Sequence, residues 1–225
     1  MKLNIKNAVI IAPHPDDETL GVGGTILRKK SEGETVAWLI ITNMSISEGW
    51  TEQQIKSRKK EINKISKFYN FDKVFELNLP TTKLDNISMS DLTSKISECF
   101  KLFEPEEIYI PHNADAHSDH RIVFDAVISS SKWFRLKSVK KILAYETLSE
   151  TGFGLSRTNN FSPNVFVDIS SFIKYKIKAM NIYKSELGLP PFPRSEENIK
   201  ALALIRGSES GYLAAEAFEL LRERI

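Results

Sequence analysis

The chain has 225 residues, and its 31 Lys and Arg against 29 Asp and Glu leave a formal net charge of only +2. This balance argues against nucleic acid or an anionic membrane surface as a partner, and the single cysteine, Cys99, excludes an intrachain disulfide bond. No segment has the roughly 20 apolar residues of a transmembrane helix, and the first residues do not resemble a signal peptide. We therefore expect a cytoplasmic protein with one α/β domain over residues 1–225.

The first predicted element is a buried strand over residues 7–12, which leads directly into an acidic turn. The turn reads His14-Pro15-Asp16-Asp17-Glu18, and open α/β sheets bind their ligands where such strands end. His14 and Asp17 are three residues apart, so an imidazole and a carboxylate can meet at one cation, while Asp16 is left for another role. A helix N-cap would account for one acidic residue here, but it would not explain the whole cluster.

A glycine-rich segment, Gly21-Val22-Gly23-Gly24, follows this turn. It resembles part of a dinucleotide-binding fingerprint, but residue 26 is Ile instead of the third glycine, and Thr42-Asn43 stand where an acid should close the second strand. We therefore expect no nucleotide cofactor. The glycines are predicted to let the first helix pack closely against its neighbours.

Strands and helices alternate along most of the chain. Apolar runs predict further strands at residues 35–42, 73–77, 107–111 and 141–145, and helical patterns lie near residues 22–32, 51–69, 90–103 and 119–132. This alternation predicts an α/β, Rossmann-like layered fold with a mostly parallel sheet flanked by helices. A loop over residues 149–164 and helices at residues 170–185, 195–206 and 213–224 predict a helical C-terminal extension.

The fourth predicted strand leads into a second polar cluster, residues 112–120. This cluster holds three of the chain's four histidines, which are His112, His117 and His120. A catalytic zinc ion has three protein ligands and keeps a fourth position open, and His14, Asp17 and one residue of this cluster give that number. Asp119 can hydrogen-bond a neighbouring imidazole, as histidines in metal sites usually require.

The His-Pro-Asp-Asp-Glu turn and the His-x-Asp-His segment at residues 117–120 together resemble the LmbE-like, or PIG-L, family of zinc-dependent N-deacetylases. These enzymes hydrolyse N-acetyl groups on glucosamine-containing substrates. The resemblance implies three metal ligands, which are His14, Asp17 and His120. It also implies a general base, a charged helper beside the scissile amide and an orienting partner for that helper, which are Asp16, His117 and Asp119, respectively.

Shorter segments elsewhere are also similar to this family. They are Thr42-Asn43, Arg58-x-x-Glu61, residues 161–169, Pro193-Arg194-Ser195, Arg206-Gly207 and Ala215-Glu216-Ala217-Phe218. From them we take Asn43 and Arg58 as candidate substrate-binding residues, although a surface charge on a helix would explain Arg58 almost equally well. One position departs from the pattern, because Asp115 replaces a tyrosine that is proposed to polarise the substrate carbonyl in some members. Zinc and His117, or another residue that the sequence does not identify, would then have to stabilise the oxyanion.

The chemistry expected of such a site is amide hydrolysis with one Zn²⁺ per chain, and Fe²⁺ would also suit a His-His-Asp ligand set. Zinc activates water and acts as a Lewis acid. Asp16 takes the proton of the water, and Asp16 or His117 protonates the leaving amine. A His117–Asp119 pair would favour the imidazolium form of His117. The expected partner is a small N-acetylamino sugar or its conjugate, nucleotide-linked sugars included.

Two other kinds of function remain open from the sequence. A binding domain with a structural metal would need a closed four-ligand site, and His112 is the available fourth ligand. A hydrolase of a different bond, such as a phosphoester, would use two metal ions and more bridging carboxylates. Four aspartates could supply these carboxylates, namely Asp16, Asp17, Asp115 and Asp119. Metal stoichiometry distinguishes these functions.

Overall fold

The computed structural model describes residues 6–156 and 158–225, and seven strands in this part of the chain form one sheet. The strands are β1 (Asn7–Ala12), β2 (Thr35–Asn43), β3 (Lys73–Pro80), β4 (Glu107–Pro111), β5 (Lys141–Tyr145), β6 (Val165–Asp168) and β7 (Ala215–Glu223). The helices are α1 (Asp17–Ser31), α2 (Glu52–Tyr69), α3 (Met89–Phe103), α4 (Ser118–Ser130), α5 (Ile173–Met180) and α6 (Glu196–Ser210). The strand order is β3-β2-β1-β4-β5-β7-β6. The pairings among β1 to β5 are parallel, which confirms the predicted α/β fold with a mostly parallel sheet.

Two apolar layers hold the helices against the two faces of the sheet. Because successive residues of a strand face opposite sides, Ile10 of β1 packs in the layer that contains α1 and α2, whereas Val9 and Ile11 pack in the layer that contains α3 and α4. Burial on both faces explains why these strands are continuous apolar runs in the sequence. None of the described helices combines the length and the apolar character needed to cross a membrane.

Helix α1 begins at Asp17, earlier than expected, because the acidic turn itself supplies its first residues. Its glycines face close neighbours: a Cβ atom on Gly21 would lie 2.2 Å from Tyr145 Cδ2, and one on Gly24 would lie 2.6 Å from Ile169 Cγ2. Any larger side chain at these positions would push the helix away from the sheet. The close packing expected of the glycine-rich segment is confirmed.

A buried ion pair ties the C-terminal part of the chain to α1. The Lys176 Nζ on α5 is 2.7 Å from Glu216 Oε1 on β7, and both side chains are buried. Lys176 also donates to the carbonyl oxygen of Leu20 at 2.7 Å. The Glu216 carboxylate accepts the backbone N–H groups of Gly24 and Thr25 at 2.8 and 2.7 Å. The pair therefore fixes α1 just behind the acidic turn.

The C-terminal part of the fold differs from the expectation at two elements, since the strand β6 (Val165–Asp168) was not predicted and the last element is of another type. The helix predicted over residues 213–224 is wrong, because Ala215–Glu223 form the strand β7, which lies antiparallel between β5 and β6. Its Ala, Glu and Leu residues favour a helix in isolation, but pairing with two neighbouring strands outweighs that preference. The helix predicted at residues 195–206 is present as α6, whereas the helix predicted at residues 170–185 covers only Ile173–Met180. The described part of residues 149–164 is irregular apart from a 3₁₀ turn at Thr151–Phe153.

The single cysteine is buried in α3 and has no catalytic surroundings. Burial raises the pKa of the Cys99 thiol to about 11. A thiol with a raised pKa is protonated near neutral pH and is a poor nucleophile. Cys99 is therefore the ordinary buried helical residue that its sequence context predicts.

Candidate active site

The acidic turn and the second polar cluster meet at the carboxyl edge of the sheet. His14 follows β1, the cluster at residues 112–120 follows β4, and the strand order reverses between these two strands. A switch point of this kind is where open α/β sheets bind their ligands. Both the backbone N–H and the Oγ1 of Thr42 donate to the Pro13 carbonyl, at 3.0 and 2.8 Å, and this fixes the turn to the end of β2.

Three side chains converge at this edge, since His14, Asp17 and His120 each place one ligand atom within 4.8 Å of the others. The Asp17 Oδ2 is 3.5 Å from His14 Nδ1 and 3.3 Å from His120 Nε2. Burial tends to raise the pKa of Asp17, but the two imidazoles outweigh this effect and hold the pKa well below its usual range, so the carboxylate is ionised. Two imidazoles around an ionised carboxylate are a donor set suited to a divalent transition metal.

His120 is held in the orientation that a metal ligand needs. Its Nδ1 is 2.8 Å from Asp115 Oδ2, and because a carboxylate can only accept, Nδ1 carries the ring proton. The other nitrogen, Nε2, is buried and makes no hydrogen bond among the described residues, and Asp17 Oδ2 lies 3.3 Å from it. Asp115 is fully buried and is fixed in turn by Thr151, whose Oγ1 donates at 2.6 Å. This orphaned nitrogen beside a carboxylate fits a metal ion.

Asp119 contacts His14 through its carboxylate, and this corrects the expected pairing with His117. The Asp119 Oδ2 lies 3.1 Å from His14 Nε2. The backbone N–H groups of Thr82 and Leu84 donate to the same carboxylate at 2.8 and 3.3 Å. Burial tends to lower the pKa of His14, but hydrogen bonds to neighbouring carboxylates outweigh this effect and raise the pKa to about 9. Both histidines of the triad therefore have a carboxylate partner.

His117 lies at the N-cap of α4 as a neutral imidazole. Its Nδ1 accepts the backbone N–H of Asp119 at 3.0 Å, and since only an unprotonated nitrogen can accept, the ring proton is on Nε2. Burial and the neighbouring His14 lower the pKa of His117 to about 4. The Glu150 carboxylate accepts the backbone N–H of His117 at 3.1 Å and fixes this position. The expected imidazolium is therefore not the form that these surroundings favour.

Asp16 lies beside the triad and is not one of its members. It occupies the N-cap position of α1, but its side chain makes no capping hydrogen bond, and its Oδ2 is 3.6 Å from Arg194 Nη1. Burial and the charges of Asp17 and Glu186 raise the pKa of Asp16 well above its usual value, against the opposing effect of two arginines. Such a carboxyl group holds a proton more tightly than an exposed aspartate does.

The backbone at Asp16 has an unusual conformation, with φ 141° and ψ −26°. Residues other than glycine rarely adopt such positive φ values, and they store strain when they do. The Glu18 carboxylate accepts the Asp16 N–H at 3.0 Å, and Glu18 is fully buried. The hydroxyl groups of Thr19 and Tyr183 donate to the second Glu18 oxygen at 2.6 and 2.9 Å. Burial raises the pKa of Glu18 to about 7.

Arg58 is buried, so it is not a surface charge on a helix, which was the alternative interpretation of this residue. Its Nη1 donates to the Pro15 carbonyl at 3.0 Å and lies 3.6 Å from Glu61, while its Nη2 pairs with Glu186. Arg58 thus supports the acidic turn and also lines the cleft above it. Asn43 lines the same cleft, where its side-chain amide donates to a neighbouring asparagine at 2.9 Å.

A cleft of about 290 Å³ opens over these side chains. The triad, Asp16 and His117 line it from the sheet edge, and three later segments complete its walls. These segments provide Met44 and Trp50 after β2, Glu150 after β5, and Glu186 and Arg194 after α5. The volume is at the lower end of the range for ligand pockets, about 300–1,000 Å³. The cleft therefore suits a small molecule.

The contacts of His112 argue against a closed four-ligand metal site. His112 Nδ1 is 3.1 Å from Glu219 Oε2, and its Nε2 is 3.4 Å from the Asn159 carbonyl. Among the described residues, His112 therefore does not complete a closed four-ligand site. Asp115 and Asp119 each bond a histidine, and Asp119 also belongs to a second group of possible ligand atoms, with His14 and His117.

The sequence indicated no role for three residues of the site, which are Glu150, Glu186 and Arg194, and it did not indicate that Asp115 supports His120. Glu186 bridges Arg58 and Arg194, and the Arg194 Nη2 is 3.2 Å from Glu186 Oε2. The Pro-Arg-Ser segment did single out Arg194, but no spacing rule connects it to a turn at the opposite end of the chain. In the sequence, Asp115 stood out only because it replaces a tyrosine. In the structure it is buried and contacts His120.

Comparisons with known proteins agree with this geometry. A family model described as PIG-L: GlcNAc-PI de-N-acetylase matches residues 9–131. The diacetylchitobiose deacetylase of Thermococcus kodakarensis is 24% identical over 230 residues, which cover 97% of this chain and 84% of that protein. The conserved protein TT1542 from Thermus thermophilus is 25% identical with a TM-score of 0.78, over 98% of this chain and 97% of that chain. The hydratase GalB from Pseudomonas putida, which acts on 4-carboxy-2-hydroxymuconate, is 16% identical with a TM-score of 0.73, over 98% of both chains, and shares the fold.

The family match says more about the function than the fold does, because the hydratase GalB has the same fold. The matched residues 9–131 are more than half of the chain. They contain the acidic turn, the His-x-Asp-His segment and the strands that bring the two together. The chain therefore belongs to the PIG-L family of de-N-acetylases.

Proposed function

We propose that the protein is a metal-dependent hydrolase that removes the N-acetyl group from an N-acetylamino sugar or a conjugate of such a sugar. The observation that carries this proposal is the triad of His14, Asp17 and His120 beside Asp16, a carboxyl group that is not a member of the triad. A metal ion with an adjacent, uncoordinated carboxylate is the arrangement that many metal hydrolases use. The family match and the similarity to a diacetylchitobiose deacetylase support a sugar amide as the substrate.

The three triad residues would hold one metal ion per chain. Two imidazoles and one carboxylate are typical ligands of catalytic zinc, and the same set accepts Fe²⁺. The buried, unpartnered Nε2 of His120 is among the ligand atoms. When bound, the ion would supply a Lewis acid for the substrate carbonyl and a lower pKa for water.

Asp16 is the proposed general base. Its raised pKa lets the carboxylate take the proton of the attacking water and return it to the leaving amine. The guanidinium of Arg194, 3.6 Å from Asp16 Oδ2, favours the ionised form that starts the reaction. Asp17 cannot share this role, because its carboxylate lies between the two imidazoles of the triad.

His117 is the proposed donor to the substrate carbonyl oxygen, and Asn43 and Arg58 are the proposed contacts of the sugar. Since His117 Nδ1 accepts from the Asp119 backbone, its Nε2–H is the group left to donate. A fixed hydrogen-bond donor stabilises the negative charge that develops on the carbonyl oxygen as water adds. The neutral form is sufficient for this role, and the contact with Glu150 holds it in place.

The test of this proposal is acetate release from N-acetylglucosamine, N,N'-diacetylchitobiose and UDP-N-acetylglucosamine. We expect turnover of at least one of them, complete loss of activity after chelation, recovery with Zn²⁺, and an unchanged circular dichroism spectrum. Elemental analysis should give one ion per active chain. Two ions per active chain, or unfolding on chelation, would contradict a mononuclear catalytic site. Failure to release acetate from any N-acetylamino sugar would contradict the substrate class.

The carboxylate behind His120 yields a separate prediction. Asp115→Asn should weaken metal binding by ~10–100-fold, because a neutral amide supports the imidazole less than a carboxylate does. Competition with a chromophoric chelator measures this affinity directly. The matched control is Asp125→Asn, at an exposed position of α4, which should bind metal like the wild type. Equal affinity of both variants would show that Asp115 does not support a metal ligand.

A further inference from the structure

We propose that Glu18 is a positioning residue that holds the Asp16 carboxyl group in place for proton transfer, an inference that rests on the proposed function. Glu18 is 0% exposed, so it cannot touch a substrate in the cleft. Its link to the chemistry is one hydrogen bond, from the Asp16 N–H to Glu18 Oε2 at 3.0 Å. Any effect of Glu18 on turnover must therefore pass through the acidic turn.

Asp16 needs such an acceptor because of its backbone conformation. At φ 141° the backbone of an L-residue is strained, and it persists only where surrounding contacts determine it. The Asp16 side chain makes no capping hydrogen bond to α1 that would fix its backbone conformation. If the Asp16 N–H lost its partner, the turn would relax and the Cβ atom would rotate. The carboxyl group would then move relative to His14 and Asp17.

Glu18 is itself fixed by the hydroxyl groups of its neighbour Thr19 and of the distant Tyr183, and Tyr69 in turn holds Thr19. Thr19 Oγ1 and Tyr183 OH donate to Glu18 Oε1 at 2.6 and 2.9 Å, and Tyr69 OH donates to Thr19 Oγ1 at 3.1 Å. Both tyrosines are buried, one at the end of α2 and the other in the turn after α5. One Glu18 oxygen thus receives two hydroxyl groups, and the other is left for the backbone of Asp16.

The experiment compares two conservative variants that separate the length of the Glu18 side chain from its charge. Glu18→Gln keeps the length of the side chain and an oxygen for the Asp16 N–H, and the two hydroxyl groups can turn to accept from its amide. Glu18→Asp keeps the charge but is one methylene too short. We expect Glu18→Gln to retain a kcat close to that of the wild type, and Glu18→Asp to lose ~10²-fold in kcat, the cost typical of a displacement of about 1 Å. KM and bound metal should not change in either variant.

A readout that does not depend on activity is the exchange of the Asp16 amide proton, followed by NMR. Exchange should be slow in the wild type and in Glu18→Gln, and fast in Glu18→Asp. The control is Glu32→Asp, at an exposed position at the end of α1, which should leave both kcat and this exchange unchanged.

Three results would overturn the inference: normal turnover in Glu18→Asp, equal losses in the two variants, or a loss of activity in proportion to lost metal. If the wild type releases no acetate at all, the proposed function fails. The amide exchange still decides in that case whether Glu18 holds the turn.

Discussion

Asp16→Asn should lower kcat by ~10²–10⁴-fold while the protein keeps its metal ion. Asparagine preserves the shape of the side chain and can still face Arg194, which lies 3.6 Å from the Asp16 carboxylate. It cannot take a proton from water or return one to the amine, so the loss should fall on kcat and leave KM nearly unchanged. Steady-state kinetics together with elemental analysis of the same sample measure both quantities.

The neighbouring residue provides the control for this prediction. Asp17→Asn makes the same chemical change one position later, but it removes the carboxylate that lies 3.5 and 3.3 Å from the two imidazoles of the triad. Metal should then be lost, and activity should fall in proportion to the lost metal. If both variants lost metal to the same extent, Asp16 would be a ligand. If Asp16→Asn kept normal turnover, another group would be the base.

Lys176→Met should lower the free energy of unfolding by about 3–5 kcal/mol, because it leaves the buried Glu216 carboxylate without its charge partner. Methionine fills the same volume, so the change removes the ion pair and the 2.7 Å hydrogen bond to the Leu20 carbonyl without creating a large cavity. Urea denaturation followed by circular dichroism measures the difference. The effect should appear in the midpoint of the transition, with an unchanged slope.

Two further variants show whether the buried charge is the cause. Lys174→Met makes the same change at an exposed position of α5 and should shift stability by less than about 0.5 kcal/mol. The double variant Lys176→Met with Glu216→Gln should recover part of the loss, since no unpaired charge remains and the amide oxygen can still accept from α1. A double variant less stable than Lys176→Met would instead mean that the Glu216 charge stabilises α1 by itself.

The parallel half of the fold could be predicted because each of its elements carries a local signal. Its central strands are continuous apolar runs, and α2 begins at a capping box between Thr51 and Gln54. The convergence of the triad followed from the same topology. His14 and Asp17 share one turn, and His120 follows the end of an adjacent parallel strand.

The remaining features depend on contacts that no local pattern encodes. β7 has the composition of a helix, and it is a strand because β5 and β6 offer it hydrogen bonds on both sides. The Asp119 carboxylate bonds His14, far away in the chain, and Asp119 contacts His117, two residues away, only through its backbone N–H. The pairing of Lys176 with Glu216 is likewise visible only in three dimensions.

The position of β7 between β5 and β6 makes the edge of the sheet depend on the last strand of the chain. β1 to β5 and the three proposed metal ligands all lie within the first 145 residues. β6 lies at the edge of the sheet beside β7 and cannot dock until residues 215–223 have been made. The segment that carries Glu186 and Arg194 lies between these two strands in the sequence. The far wall of the cleft therefore depends on the last strand of the chain, whereas the three proposed metal ligands lie on elements that precede it in the sequence.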